Sequence, residues 1–356
     1  MSSEAVVAPR VRGESLNDVR AVIPASCYTR SRSRATSTLV QAALVYLGPT
    51  VSLALTDRWW ALIVLWMFAG LGVAGLFVLG HDASHGALVD SRRMNRLLAR
   101  VCMAPSAHVE AAWDLGHNRI HHGYTTREGF DFVWHPTSVA EYRGLGRLYR
   151  LRHRVEWSWM GAGAYFLRAV WWEKMWRYNA PGKRHAAIVR DKIVLGAVLA
   201  LILVTTAVLS GFGGGWLATL WVPVKLFVVP FLVFVQIIGW TVYVHHVSPE
   251  IRWWGRREWS QFNGQMESTT IVHVPRLVNR LWLHNIFIHV PHHVDSRIRF
   301  DHLPRAAAAI TAGYPHAVRS SRLSIVAYVR TTRACKLYDF DEGHWLGYGA
   351  AASSPC

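Results

Sequence analysis

Apolar and charged residues along this chain fall into long, separate blocks. Four charge-poor runs, residues 38–55, 59–80, 193–210 and 226–244, each approach the roughly 20 residues that a helix needs to cross a bilayer's hydrocarbon core. Lipid offers the backbone no hydrogen-bond partner, so such runs are expected as helices. Their connections pair them. Thr56-Asp57-Arg58 joins the first two, and a glycine-rich stretch at 211–215, followed by a segment containing Lys225, joins the last two. The pattern predicts an all-α membrane protein of four transmembrane helices in two hairpins, with the other segments gathered as a helical cap on one side. Residues 1–37 then form an N-terminal segment and residues 38–342 a single membrane-embedded domain. Residues 343–356, rich in Gly, Ala and Ser, are expected as a poorly ordered tail.

Composition agrees with this reading: of 356 residues 52% are hydrophobic and 18 are Trp, too apolar for an ordinary soluble domain. Charge then orients the chain, because Lys and Arg in short loops stay on the cytoplasmic side. Residues 1–37 carry 6 of them, 81–192 carry 18 and 245–356 carry 13, which leaves only Arg58 and Lys225 for the opposite side. The cap is therefore expected to be cytoplasmic. The same rule accounts for most of the +17 net charge, so a nucleic-acid partner is not expected.

The first apolar run starts only near residue 38, so no cleavable signal peptide is expected. Cys27, Cys102, Cys335 and Cys356 are widely spaced with no C-x-x-C pair. That pattern suggests neither a disulfide framework nor a cysteine-bound metal, and it fits a reducing compartment. Residues 157–178 set five tryptophans beside Arg168, Lys174 and Arg177. The segment is too charged to span, and suits either the headgroup region or an amphipathic packing helix.

The candidate chemistry lies in the histidines. Eight of the 19 fall into three clusters, His81-Asp-Ala-Ser-His85, His117-Asn-Arg-Ile-His121-His122 and His289-Val-Pro-His292-His293, all on the basic side. On an α-helix, His81 and His85 share a face, as do His117 and His121, and His289 and His293. Three helices can thus offer rows of imidazoles to a shared centre. Neutral imidazole suits iron, copper, zinc and nickel, and eight ligands exceed what one ion accepts, so two metals are implied. Zinc rarely needs more than four ligands, whereas all-nitrogen ligation on this scale suits a dinuclear iron centre that handles dioxygen. Asp82, Asn118, Asp131 and Asp295 lie in or beside the clusters and are candidates to hold the outer ring nitrogens, or are plain solvated residues. A membrane metal or haem transporter is the alternative from another class. It is disfavoured because the spans contain no Asp or Glu, and no His until their ends, while ion pathways usually place ionisable groups inside the bilayer.

The order H-D-x-x-H, H-x-x-x-H-H and H-x-x-H-H between paired spans resembles the membrane fatty acid desaturase family. Gly116 to Thr126, the 131–136 stretch, and Leu283-His284-Asn285 leading into His289 to Asp295 resemble its acyl-lipid omega-6 type, over roughly residues 40–310. The resemblance implies a non-haem diiron oxygenase that removes two hydrogens from a fatty acyl chain. It implies that His81, His85, His117, His121, His122, His289, His292 and His293 bind two iron ions. Relatives recruit one more histidine after the fourth span; alignment on Pro249 puts His246 there, with His245 as runner-up, and Ser248 stands where the family often has another histidine. His284 is expected beside the centre rather than on the metal, and the remaining histidines, His108, His135 and His153 among them, read as structural. The implied partners are a fatty acyl substrate bound to phospholipid or to acyl carrier protein, membrane lipid, and an external electron donor such as ferredoxin. No fused cytochrome signature, G-x-G-x-x-G or cysteine cluster is present to carry electrons. A hydroxylase, epoxidase or acetylenase on the same scaffold is the nearest alternative reaction.

Overall fold

The computed structural model describes residues 15–353. Four of its helices are long and apolar enough to cross a membrane: α1 (Arg32–Ala54), α2 (Trp59–Ser84), α3 (Gly182–Phe212) and α4 (Gly214–His246). Helix α1 starts where Ser31 Oγ accepts the Arg34 N–H at 3.3 Å, satisfying one of the free donors of the first turn. It ends at Ala54, the chain turns through 55–58, and α2 returns along it. The two are close because Gly72 of α2 stands against the backbone of Tyr46, where a Cβ would sit only 2.7 Å away.

Between α3 and α4 the connection is much shorter than the expected stretch from 211 to Lys225. The chain kinks at Gly215, whose φ of +67° is open to glycine, and helix resumes at once. Lys225 therefore lies inside α4, 2% exposed, with its ammonium 2.7 Å from Asp57 Oδ1 and 3.1 Å from the Thr56 carbonyl oxygen. A lysine so buried needs these partners. They hold the 55–58 turn against α4 at Lys225, on the side of the bundle opposite the histidines at the ends of α2 and α4.

Helices α2 and α4 are central and α1 and α3 peripheral. The most apolar window of α2 is 61% buried, whereas that of α3 is 0% buried. Leu201, Val204 and Leu209 of α3 point outward, an apolar face of the kind lipid covers. Residues 85–181 and 247–349 pack around the histidine-bearing ends of α2 and α4. Their largest core cluster joins Trp113, Trp134, Trp157, Tyr165 and Phe166 to Phe234, Ile238 and Tyr243 of α4. The helical segment 162–177 crosses α4 where Gly239 meets the Ala162 carbonyl and the Gly163 N–H donates to Gln236 Oε1 at 3.0 Å.

The structure is mostly helical but not all-α. Strand β1 (Thr270–His273) pairs in parallel with β2 (Arg319–Arg322), and β3 (Leu337–Asp339) pairs antiparallel with β4 (His344–Leu346). In β1 the β-branched Thr270, Ile271 and Val272 are buried, where such side chains favour a strand. The expected poorly ordered tail is also folded as far as residue 353. Trp345 is buried with its indole N–H on the Ile251 carbonyl (2.9 Å), and the Tyr348 hydroxyl lies 2.8 Å from His153 Nδ1. These two aromatic rings anchor a stretch whose Gly and Ala content alone reads as loose. Residues 354–356, and the first 14 residues of the expected N-terminal segment, lie outside the described residues.

Candidate metal centre

The second histidine cluster sits on a helical segment, 110–124, that widens into π geometry from Asp114 to His121. The His122 N–H bonds the His117 carbonyl, five residues back, so the residues that stack are i and i+5. This corrects the expectation that His117 and His121 act from one face. His117 and His122 instead come together, with their Nε2 atoms 3.2 Å apart, and His121 turns to a different set. π-Bulges of this kind recur at functional sites.

The histidines form two groups. In the first, His81, His85, His117, His122 and His292 each bring one ring nitrogen within 4.8 Å of all the others; in the second, His121, His246 and His293 do the same. His289 adjoins the second, its Nε2 lying 3.2 Å from that of His246 and 3.1 Å from that of His293. The adjacent His292 and His293 point to different groups because successive helical residues diverge by about 100°. His245 stays outside both: its ring stacks on His289 at 4.0 Å and its Nε2 has no hydrogen-bond partner among the described residues.

The protonation pattern of the second group is set from outside. His121 Nδ1–H donates to both oxygens of Asp131 (3.0 and 3.1 Å), His246 Nδ1–H to the Ser268 carbonyl (3.1 Å), and His293 Nδ1–H to Gln265 Oε1 (2.8 Å). A neutral imidazole carries one N–H, so each of these rings turns a lone pair inward. Several lone pairs meeting in a buried space without a proton among them repel unless a cation lies between. The first group is similar: His85 Nε2 and both ring nitrogens of His292 are buried without a hydrogen-bond partner among the described residues. Burial, and then the neighbouring imidazoles, hold His117, His122, His289 and His293 well below the ordinary histidine pKa, which keeps the rings neutral and able to ligate. The residues thus fit two transition-metal ions bound through nitrogen.

The other expected site residues divide. Asp131 contacts the His121 ring, as described above. Asp82 Oδ1 lies 3.4 Å from His81 Nδ1, while its Oδ2 accepts the Phe300 N–H at 2.8 Å, so it ties the first cluster to the segment after the third. Asn118 touches no ring nitrogen; its amide donates to the carbonyl and hydroxyl oxygens of Ser84 (3.0 and 2.9 Å) and thereby fastens 110–124 to the end of α2. Asp295 is held by Arg297 (2.6 Å) and the Tyr28 hydroxyl (3.1 Å), away from the rings. His284 packs against Phe300 with Nε2 unpartnered among the described residues, and burial lowers its pKa to about 4.

Two residues escaped the sequence reading. Gln265 accepts from His293 and its amide donates to the His122 carbonyl at 2.6 Å, bridging both groups. Trp113 stacks on His117 with ring centroids 4.3 Å apart. Neither stands in a pattern that marks it; only folding brings Gln265 to the centre. Six of the histidines, His81, His117, His121, His245, His246 and His289, border a cavity whose other walls are mainly apolar, among them Phe77, Phe166, Val170 and Ile286.

Four helices long and apolar enough to cross a membrane, with imidazoles that could hold metal ions clustered at the ends of α2 and α4, are features of a membrane protein with a metal site. Comparison with known proteins narrows the class. The family profile for fatty acid desaturases matches residues 58–322, and this chain belongs to that family: it is an oxidoreductase that desaturates fatty acyl chains with dioxygen. Over 337 residues it is 27% identical to the sn-1 oleoyl-lipid 12-desaturase of Anabaena variabilis, covering 92% of this chain and 91% of that protein. It is 24% identical over 283 residues to the chloroplastic omega-6 fatty acid desaturase of Glycine max, covering 79% of this chain and 63% of the relative. It is also similar to the sn-1 acyl-lipid omega-3 desaturase (ferredoxin) of Synechocystis sp., at 26% identity over 319 residues, 83% of this chain and 80% of the other.

Proposed function

We propose that this protein is a non-haem diiron desaturase of lipid-bound acyl chains. His81, His85, His117, His122 and His292 hold one iron, and His121, His246, His289 and His293 the other. The observation that carries this reading is the convergence of nine histidines in two groups beside an apolar cavity. When bound and reduced, the iron pair supplies with dioxygen the oxidant for an unactivated C–H bond, which no acid or base side chain can provide. The chain's own residues position. Asp131, Ser268 and Gln265 fix the outward N–H of His121, His246 and His293; Phe77, Phe166, Val170 and Ile286 exclude water and confine an acyl chain beside the rings. Confinement matters because a misplacement of about 1 Å can cost roughly a hundredfold in rate.

The reaction converts two adjacent methylenes and one dioxygen, with two electrons and two protons, to an alkene and two waters. The electrons come from a separate carrier, for which an acidic ferredoxin suits the basic surface. In the membrane, α1–α2 and α3–α4 form two hairpins with the histidines on the cytoplasmic face, within one domain of residues 38–342. The one-sided distribution of Lys and Arg and the Lys225–Asp57 pairing at the far end support this orientation. A phospholipid acyl chain is the preferred substrate and an acyl carrier protein thioester the second choice. The test is metal analysis of the purified protein together with gas chromatography–mass spectrometry of fatty acids from cells expressing it. About two irons per chain and a new unsaturated acid are expected. A metal-replete protein yielding only hydroxylated or unchanged acids overturns the assignment.

A further inference from the structure

The cavity that borders the histidines has one charged side chain besides them, Lys174. The only hydroxyl in the lining, that of Thr241, is already spent on the Ile237 carbonyl of its own helix at 2.8 Å. Lys174 stands in the π-helical stretch Phe166–Arg177, next to Met175, which is buried and also lines the cavity. Its ammonium is 5.5 Å from the ring centroid of Phe132, another lining residue, yet the side chain is exposed. It therefore stands at the rim, with the cavity on one side and solvent on the other. Its neighbour Glu173 is taken by Arg168 at 2.9 Å, and Lys174 forms no ion pair among the described residues.

The depth of this rim can be read from the aromatic residues around it. Trp171 and Trp176 both donate to the Ala107 carbonyl at 3.0 Å, which fixes the segment, while Trp172 is 51% and Tyr178 40% exposed. Exposed Trp and Tyr beside a membrane-spanning bundle mark the level of lipid headgroups. An unpaired ammonium at that level, at the mouth of an apolar cavity, is matched by an anion that carries an apolar tail. Lysine is a compact cation with three donors and suits phosphate.

We propose that Lys174 binds the phosphate of a glycerophospholipid whose acyl chain lies in the cavity. The contact pins the head end of the lipid, so it sets how far the chain reaches and which pair of methylenes lies beside the histidines. This rests on the reading of the protein as a lipid-acyl desaturase, and it adds that position is counted from the head of the lipid.

The experiment uses the iron-loaded full-length protein in nanodiscs, with dioleoyl phosphatidylglycerol and dioleoylglycerol as matched substrates with and without phosphate. Retention of each lipid is followed by native mass spectrometry, turnover by KM, and product by double-bond position. The wild type is expected to favour the phospholipid by roughly 10-fold in KM, the scale of one charge-assisted hydrogen bond at a half-wet site. Lys174→Ala should lose that preference and give more than one double-bond position. Lys174→Arg should keep it, and Lys183→Ala, an exposed lysine away from the cavity, should behave as wild type. The proposal is overturned if Lys174→Ala retains both the preference and a single product, or if the variant affects a carrier-protein thioester and leaves the phospholipid untouched. If the wild type turns over no acyl substrate, the proposed function falls. Lipid retention then decides this inference separately: loss of phospholipid from Lys174→Ala, with dioleoylglycerol unaffected, upholds it, and equal retention overturns it.

Discussion

Replacing Asp131 with asparagine tests whether a carboxylate beside the histidines sets their chemistry. Asp131 is 2% exposed, and every donor around it is an N–H: His121 Nδ1 at 3.0 and 3.1 Å, the Thr126 backbone at 2.9 Å and the Val133 backbone at 3.0 Å. A carboxylate accepts from all of them. An amide keeps one acceptor oxygen and turns an NH2 toward at least one of these donors, leaving it without a partner. One buried unsatisfied donor costs about 1–3 kcal/mol, and a charge-assisted bond is lost as well, so Asp131→Asn should destabilise the metal-free protein by about 2–4 kcal/mol. A second effect follows from the tautomer. If the NH2 faces His121, the ring must accept at Nδ1 and carry its proton on Nε2, which removes one inward lone pair. Loss of such an outer partner typically lowers metal affinity by roughly 10- to 100-fold. The assay is iron per chain after dialysis against a weak chelator, alongside thermal unfolding of the apo-protein. Asp295→Asn is the comparison, because Asp295 contacts Arg297 and Tyr28 rather than a ring, and it should retain iron as the wild type does. Equal iron retention by Asp131→Asn and wild type, with unfolding midpoints that coincide, would refute the reasoning.

Three further outcomes are expected. His246→Ala should bind about one iron fewer than wild type, whereas His245→Ala, whose Nε2 meets no other ring nitrogen, should keep its metal; inductively coupled plasma analysis of both separates the two neighbours. Gly239→Ala places a Cβ against the Ala162 carbonyl, where neither helix can yield freely, and should lower stability by about 1–3 kcal/mol in a detergent unfolding titration. Burial raises the Glu110 pKa to about 7 against an ordinary value of 4.5, despite Arg100 at 3.3 Å. The folded chain then holds a proton that the unfolded chain releases, so stability contributed by this group is complete below about pH 4.5 and is lost as pH rises through 7. Glu110→Gln should raise the unfolding midpoint at pH 8 and leave it nearly unchanged at pH 5; a gain of equal size at both values would show that Glu110 is not the titrating group.

The four spans and the three histidine clusters were legible in the sequence because each is a local property. Whether a segment such as 193–210 prefers lipid depends on its own side chains, and the H-D-x-x-H and H-x-x-H-H spacings place imidazoles on helix faces without reference to anything distant. Local signals failed where conformation depends on neighbours. Lys225 reads as a loop residue until Asp57, 168 positions earlier, is seen to neutralise it, and the tail reads as loose until Trp345 finds the Ile251 carbonyl. The division of the histidines into two groups was likewise hidden. It follows from the π geometry of 114–121, which aligns His117 with His122, and α and π forms differ by one residue in hydrogen-bond register, a difference decided by packing around the segment. Gln265 joins the centre across 143 residues, through its bond to the His122 carbonyl. Composition and spacing thus determined which runs are long and apolar enough to span and which histidines stand in clusters, whereas only the packed structure decided which ring faces which, because orientation at a hydrogen bond is fixed by partners that sequence distance does not reveal.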